Sequence, residues 1–325
     1  MSDDQVTQTP DQARQICSFW SRVLAFTLDI LILGVVGQIL GLVFYGVFSS
    51  LGGYGRIIGF AIALCYFGIM NSSICGGQTI GKRILKIKVI SAGGRPIGVG
   101  RSIIRFLIIG IPYFLNGAPI PVEILQSTGG IIISVAIFGA GFSIIYMYVF
   151  NRSTRQSLHD VVVGSFVCKA EAKQVGQIKG IWAGHYAVIA VFFIAAGLLP
   201  VAVNHFAGEE PFKEMLAIQK ALSRQPGVKY ATVTAGRASM AFLGKGAKAT
   251  TYLTSKIFLS SKAADDDQVA NTLASVVLDT YPEVVAKDKM TIVLSSGYDI
   301  GIASTWITKT FSFSPEQWRE RIQRP

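Results

Sequence analysis

Long apolar stretches, separated by short basic segments, dominate the first two thirds of the chain. The first begins at Phe19, and no residue in 30–55 carries a charge. That run exceeds the roughly 20 apolar residues that cross a bilayer as a helix. Further apolar stretches occupy 57–74, 106–125, 129–150 and 185–203. The pattern predicts an α-helical polytopic membrane bundle of about five transmembrane helices.

The cations of this region are concentrated in two segments between the apolar stretches. Residues 76–105 contain seven cations and no acid, and residues 151–179 contain five cations against Asp160 and Glu171. Positive charge of this kind is typical of cytoplasmic loops. We therefore expect a cytoplasmic N-terminus, an even number of crossings between the two segments, and an extracytoplasmic C-terminal part, in a bacterial cytoplasmic (inner) membrane.

Residues 106–125 are the least regular of the apolar stretches. Pro112, Pro119 and Pro121 interrupt them, and proline kinks or ends a helix because it lacks an N–H donor. Two interpretations remain, a short kinked crossing and a re-entrant segment shielded by its neighbours. The even number of crossings favours the kinked crossing.

From residue 209 onwards the pattern is that of a soluble domain. Apolar positions at helical spacing in 211–227 are followed by strand-like runs at 228–236 and 249–260, a second helix over 265–282, and one or two strands within 290–313. This order predicts an α+β domain of about 115 residues, enough for its own core. We therefore divide the chain into a disordered cytoplasmic tail (1–17), a membrane domain (18–204) and an extracytoplasmic α+β domain (205–325).

The charge of the chain adds a preference for anionic lipid. The 325 residues carry a formal charge of +11, with 15 Lys and Arg against 7 Asp and Glu in residues 1–204. Because this excess lies with the membrane part, it indicates loops that contact anionic membrane lipids, and nucleic acid is not an expected partner.

Cysteine and histidine residues give no sign of a cofactor. Cys17, Cys65, Cys75 and Cys168 form no C-x-x-C pair, and His159, His185 and His205 are scattered. We therefore expect no disulfide framework, metal or cofactor. The acidic, polar N-terminus lacks the basic region of a signal peptide, so the first helix is expected to remain in the protein.

Three separated blocks carry a resemblance to a known family. Arg22, Asp29 and Asp160 are similar to the Arg-Asp-Asp signature of the RDD family of membrane proteins. GGQTIGKRILKIKVI (76–90) resembles the most recognisable block of that family, and RQSLHDVVVGSFV (155–167) resembles its closing block. The resemblance covers about residues 18–170. It implies a small polytopic membrane protein with ion or solute transport as the suggested role, and it leaves the C-terminal domain unexplained.

Asp29 lies within the first apolar helix, on the same face as Arg22. A carboxylate there is costly unless it is paired or faces a cavity. Arg22 is the nearest candidate partner in the sequence, although a second helix could supply a better one. Two interpretations remain: an ion pair that fixes helix register or reaches the headgroups, and a carboxylate that exchanges a proton or cation.

Asp160 follows the fourth stretch, next to His159 and five residues after Arg155. One interpretation is a capping or loop-fixing carboxylate. The other brings Asp160 to the mouth of the bundle with Asp29 and Arg22 as a cation or proton relay, where His159 would titrate near neutral pH. Arg22, Asp29, Asp160, His159 and Arg155 are therefore the candidate polar core.

The basic loop residues Lys82, Arg83, Lys86 and Lys88 have a simpler interpretation. GGQTIGKR satisfies most of a phosphate-loop pattern, but Arg83 stands where Ser or Thr should hold magnesium and an apolar helix precedes it. We expect a glycine-flexible turn whose four cations face lipid headgroups, followed by a short amphipathic strand in 84–90.

The C-terminal domain shows no catalytic pattern. Asp265–Asp267 lack the spacing and closing Glu of a calcium loop, and no Ser-His-Asp or Cys-His set occurs. We therefore expect no catalytic residues and no enzymatic activity. Two functions remain open: transport of a cation, proton or small solute through the bundle, and a non-transporting scaffold whose outer domain binds an envelope protein or ligand. A homo-oligomer is a further candidate assembly.

Overall fold

The computed structural model describes residues 15–173, 175, 180–242, 245–260 and 266–323. Most of the predicted N-terminal tail and Asp265 lie outside this range. The α-helices are α1 Phe19–Val43, α2 Tyr45–Leu51, α3 Arg56–Met70, α4 Ile80–Ile84, α5 Val99–Leu115, α6 Val122–Leu125, α7 Thr128–Ser134, α8 Gly141–Phe150, α9 Leu158–Val163, α10 Ala183–Ala207, α11 Phe212–Ser223, α12 Asp267–Thr280 and α13 Pro315–Gln323. The strands are β1 Ile87–Ser91, β2 Ser165–Lys169, β3 Val228–Phe242, β4 Lys245–Leu259, β5 Lys289–Asp299 and β6 Ser304–Phe313.

Four helical stretches in the described part of the chain are long and apolar enough to cross a membrane. They are Phe19–Val43, Tyr45–Met70, Thr128–Phe150 and Ala183–Phe206. The second joins α2 and α3 through a 3₁₀ turn, and the third joins α7 and α8 through a π-helical turn, Val135–Ala140. The predicted fold class, a helical membrane bundle followed by an α+β region, is confirmed.

Helix α5 occupies the irregular third stretch, but it starts and ends earlier than the apolar residues suggested. It begins at Val99, contains Pro112 and ends at Leu115, ahead of Pro119 and Pro121. At about 1.5 Å per residue its 17 residues span about 25 Å, slightly less than a bilayer core. The helix therefore includes the basic residues Arg101 and Arg105. The side chains of both donate hydrogen bonds to acceptors on α9.

Strands β1 and β2 form a two-stranded antiparallel sheet that joins the two basic segments. Ile87 pairs with Lys169 and Ser91 with Ser165, and Ile16 forms a further bridge to Cys168. The strand predicted in 84–90 therefore exists, but it begins at Ile87 because the preceding residues form α4. Its buried members Ile87 and Val89 pack with Cys17, Ala25, Ile97 and Val167.

The α+β region contains a four-stranded sheet in the order β3-β4-β5-β6. β4 and β5 are parallel, connected through α12, and the other two pairs are antiparallel. Side chains from α11, α12 and α13 pack with the strands around a hydrophobic core that includes Ile218, Val277, Ile292 and Trp318. Of the one or two strands expected within 290–313, the structure has two, β5 and β6.

Contacts divide the chain into two compact units. The first contains the chain up to Gln38, Arg56–Val201 and Gly301–Ala303, and the second contains Ile39–Gly55, Ala202–Ile300 and the chain from Ser304 onwards. Within the second unit, Tyr298 of β5 packs against the rings of Tyr45 and Phe48. The candidate polar core lies entirely in the first unit.

Candidate functional site

Asp160 is the fully buried centre of a charge cluster. Arg22 Nη2 donates to Asp160 Oδ2 at 2.5 Å, and Arg105 donates to Oδ1 through Nε at 3.0 Å and Nη2 at 2.9 Å. Ser165 Oγ also donates to Oδ1 at 3.0 Å. Burial alone would raise the pKa of Asp160, but Arg105 and Arg22 outweigh it and hold the pKa well below its usual range. Asp160 is therefore a fixed anion that holds two guanidinium groups.

Hydrogen bonds at the two ends of helix α9 fix the position of Asp160. Asp160 is the third residue of α9, and its Oδ2 accepts from the backbone N–H of Ser157 at 3.3 Å. At the other end, Arg101 Nε donates to the carbonyl of Val163 at 2.9 Å, where a cation complements the helix dipole. The capping interpretation of Asp160 is thus compatible with its place in the charge cluster.

His159 and Arg155 also contact the charge cluster, but their interactions differ from those expected from the sequence. His159 Nε2 lies 3.4 Å from Asp160 Oδ2, while its Nδ1 is buried with no hydrogen-bond partner among the described residues. Burial lowers the pKa of His159 to about 3, so the expectation that it titrates near neutral pH is wrong. Arg155 accepts a hydrogen bond from Arg22 through its backbone carbonyl and donates to the carbonyl of Cys17 at 3.0 Å.

Asp29 is also fully buried, but its hydrogen-bond partners lie outside the charge cluster around Asp160. Its carboxylate accepts from Tyr66 Oη at 2.7 Å, Thr79 Oγ1 at 2.6 Å and the backbone N–H of Gly81 at 2.8 Å. None of these described donors is a cation. Arg22, the nearest candidate in the sequence, is therefore not the partner of Asp29. The alternative of a partner from a second helix is the one that the structure has, in Tyr66 of α3, together with the loop that starts α4.

Two glycines allow the GGQTIGKR block to reach Asp29. A Cβ on Gly81 would lie 2.2 Å from the carbonyl oxygen of Ala25, so α4 contacts α1 backbone to backbone. Gly77 has φ +75°, and a Cβ there would lie 2.3 Å from the carbonyl oxygen of Val89. The block is therefore a tightly packed loop whose geometry depends on glycine.

Lys82 points inward, whereas the sequence suggested a side chain facing headgroups. It is 8% exposed, and its Nζ donates to Asn71 Oδ1 at 2.8 Å. Burial and the neighbouring Arg105 lower the pKa of Lys82 to about 7. Arg83 and Lys86 are exposed and Lys88 is half-buried, as expected for loop cations.

A cavity of about 300 Å³ lies beside this cluster. Arg22, Lys82 and Arg105 line it, and no carboxylate of the described residues does. The remaining lining residues are Phe19, Val23, Phe26, Phe67, Asn71, Phe106, Ile109, Ile144, Ile145, Tyr148, Val149, His159 and Val167. The cavity therefore combines three cations with a predominantly apolar wall.

A second cavity of about 360 Å³ adjoins the first through shared residues. Phe19, Arg22, Tyr148 and Val149 line both. The second is completed by Ser18, Asn151, Arg152 and Arg155. Arg22 stands between the two, with its guanidinium carbon 4.6 Å from the centroid of the Tyr148 ring. Cations thus line both cavities, and Arg22 is common to them.

The structure brings together four of the five predicted core residues and adds others. Arg22, Asp160, His159 and Arg155 meet, whereas Asp29 does not join them. Arg105 was missed, although its place four residues after Arg101, on the same helix face, was a usable signal. Nothing in the local sequence marks Asn71 as the acceptor for Lys82.

The fold and the cluster define a polytopic membrane protein with buried cations that face a cavity. The model of the RDD family matches residues 16–164, which confirms the resemblance for that part of the chain. The C-terminal region lies outside the match. No curated protein and no solved structure matches the chain.

Proposed function

We propose that the membrane bundle binds a small anionic solute and carries it across the membrane. One observation carries the proposal: Arg22, Lys82 and Arg105 line a single cavity that no carboxylate of the described residues lines. Guanidinium and ammonium groups are the side chains that bind phosphate and carboxylate in proteins. An anion is therefore the ligand that this wall favours.

The charges around the cavity support the same choice. Among the described residues, the buried Lys, Arg, Asp and Glu side chains are the cations Arg22, Lys82 and Arg105 and the carboxylates Asp29 and Asp160. With Lys82 protonated, one positive charge remains uncompensated. A buried charge without a partner costs several kcal/mol. A bound anion would remove that cost, whereas a bound cation would add to it.

A cation or proton relay has less support. Asp160 is engaged by two guanidinium groups, and Asp29 by three neutral donors. Neither carboxylate lines the cavity, so neither offers a free oxygen to a passing ion there. The small-solute version of the transport hypothesis is the one that the geometry favours, with an anion as the solute.

The pairing of β1 with β2 supports the proposed orientation. In this sheet a strand from each basic segment pairs with the other, as expected if both segments are cytoplasmic loops. Between them α7–α8 crosses once, so α5 would make the second crossing. We propose five crossings in a bacterial cytoplasmic membrane, with the N-terminus inside and the α+β region outside.

Thermal unfolding in a non-ionic detergent tests the anion preference. Inorganic phosphate, acetate and citrate would be compared as sodium and potassium salts at constant ionic strength. We expect at least one anion to raise the Tm of the wild type and of Arg83→Met, an exposed neighbour, but not that of Lys82→Met. Stabilisation that follows the cation would argue for the relay. Anion-dependent stabilisation that Lys82→Met retains would remove Lys82 from the anion site.

A non-transporting scaffold remains the second candidate. The α+β region supports it, because this region has a hydrophobic core of its own, as a module that binds an envelope protein or ligand needs. We propose a binding role for this region and no catalysis. Capture of a defined envelope protein would be compared between the wild type and a cavity-blocking variant. Equal capture by both would separate the binding role of this region from transport through the bundle.

A further inference from the structure

The cavity has two chemically different halves. Arg22, Lys82 and Arg105 are the charged lining residues. Phe26 and Ile109, each one turn further along the helix from Arg22 and Arg105, continue the wall together with the apolar side chains of Val23, Ile144 and Ile145. A free inorganic anion would need only the charged half. The apolar half therefore indicates that the ligand also has a hydrocarbon part.

The apolar half is open on the outside of the bundle. Phe26 of α1 is 40% exposed, and Ile145 and Val149 of α8 are 63% and 45% exposed. In a membrane, such exposed apolar side chains contact lipid chains. At the charged end the two helices are bridged by side chains, since the rings of Phe19 and Tyr148 lie 5.2 Å apart. The opening between α1 and α8 therefore leads from the cation cluster towards the hydrocarbon region.

The distance between the charged and apolar lining residues matches the distance between the headgroup and the first chain carbons of a lipid. Arg22 and Phe26 are four residues apart on α1, which is about 6 Å along the helix axis. An anionic group bound at Arg22 and Lys82 would thus have its first methylene groups beside Phe26 and Ile145. A cavity of about 300 Å³ holds a headgroup and the start of a chain, and the rest would extend through the opening.

We infer that the cavity binds an anionic amphiphile, a molecule with a phosphate or carboxylate group and a hydrocarbon chain. The anionic group contacts Arg22 and Lys82, and the chain lies between α1 and α8. This inference rests on the proposed anion binding and narrows the solute to one class. The second cavity, with Arg152 and Arg155, gives the anionic group a polar route to the first.

Binding of phosphatidylglycerol and glycerol phosphate to the purified full chain tests the inference. The two probes share a phosphate, and only the first has chains. Native mass spectrometry would count bound phosphatidylglycerol, and thermal unfolding would compare both probes, with phosphatidylcholine as a neutral reference. We expect phosphatidylglycerol to bind about tenfold or more tightly than either other probe.

Two pairs of variants locate the binding. Ile145→Trp fills the apolar half, and Val191→Trp, on the exposed face of α10 and outside the cavity, is its control. We expect Ile145→Trp to lose phosphatidylglycerol and to keep any response to glycerol phosphate. Lys82→Met should lose both responses, and Arg83→Met should keep them.

The outcomes separate the amphiphile inference from anion binding itself. Equal responses to glycerol phosphate and phosphatidylglycerol, both lost only in Lys82→Met, would overturn the amphiphile and leave anion binding in place. No Lys82-dependent response to any anion would overturn both. If Ile145→Trp does not fold, the comparison of phosphatidylglycerol with glycerol phosphate in the wild type and in Lys82→Met still decides the question.

Discussion

Arg22 and Asp160 are 138 residues apart in the chain, and their side chains form an ion pair of 2.5 Å inside the bundle. Arg105 approaches the same carboxylate from α5. The pair thus connects α1, α5 and α9 through one buried anion. Asp29, only seven residues from Arg22, is bound instead by the loop that begins α4. The two acids therefore have separate roles in the fold.

Removal of Asp160 should be strongly destabilising. Asp160→Asn leaves two buried guanidinium groups without a counter-charge, and we expect a loss of about 3–5 kcal/mol in the free energy of unfolding. Denaturant unfolding in detergent measures this loss.

A double-mutant cycle tests the ion pair itself. The variants Arg22→Gln and Asp160→Asn should show a coupling energy of about 1–3 kcal/mol. The cycle of Arg22→Gln with Asp29→Asn is the control and should be additive within about 0.5 kcal/mol. Strong coupling in the control cycle would restore the Arg22–Asp29 pair.

Gly81→Ala should destabilise the bundle because its Cβ would overlap the Ala25 carbonyl. Overpacking of a tight contact typically costs about 1–3 kcal/mol. Gly93→Ala is a matched control, since a Cβ there meets nothing within 4 Å. The Tm of each variant in the same detergent measures the effect. Equal melting of the two variants would mean that α4 and α1 are not in close contact.

The pH dependence of anion binding should follow Lys82, whose surroundings are Arg105, Asp29, Asp160 and Arg22. Burial lowers its pKa from 10.5 to about 7, so the unfolded chain binds more protons between these values. The free energy of unfolding of the unliganded protein should therefore rise with pH across this window. Affinity for phosphatidylglycerol should instead fall as pH rises through 7, because the anion prefers protonated Lys82.

Titration of phosphatidylglycerol binding on both sides of pH 7 checks this expectation. The phosphodiester stays ionised throughout, so a change in affinity reports on the protein. Lys82→Met should bind weakly at every pH, and Arg83→Met should keep the wild-type profile. A flat wild-type profile would remove Lys82 from the binding site.

The sequence predicted the elements of the site better than their contacts. Arg22, Asp29 and Asp160 stand out because charges in or beside apolar helices are costly. Which of these residues pair could not be predicted from the sequence, since the contact of Arg22 with Asp160 depends on the packing of α1, α5 and α9. For Asp29 the sequence offered Arg22 or a second helix and could not choose between them. Its actual donors are two hydroxyl groups and a backbone N–H, which no charge pattern reveals.

Lys82 shows a second limit of sequence patterns. The alternating residues after it indicated a strand, and β1 is one, but α4 is only five residues long. A helix of that length has no periodicity to detect, so the inward direction of Lys82 was hidden. In the α+β region the patterns were longer, and its four strands and the helices α11 and α12 could be predicted, whereas the nine-residue helix α13 was missed.

The α+β region should fold without the membrane bundle. Its core is built from residues between Ile218 and Trp318, and the Trp318 indole donates to the Met290 carbonyl at 2.9 Å. Residues 209–325 should therefore give a cooperative thermal transition. Trp318→Ala should cost about 3–5 kcal/mol, whereas Ile307→Ala, at an exposed position, should be nearly neutral. A broad, non-cooperative melt would show that the region depends on the bundle.

Flux into proteoliposomes tests the central claim most directly, that the bundle carries an anion governed by Lys82 and not a cation governed by Asp29. Uptake of dihexanoyl phosphatidylglycerol, a soluble anionic amphiphile, and of sodium would be measured for the wild type, Lys82→Met and Asp29→Asn, with melting recorded on the same preparations. We predict amphiphile uptake by the wild type and by folded Asp29→Asn, loss of it in Lys82→Met, and no sodium uptake above protein-free liposomes. Sodium uptake that Asp29→Asn abolishes and Lys82→Met retains would contradict the account.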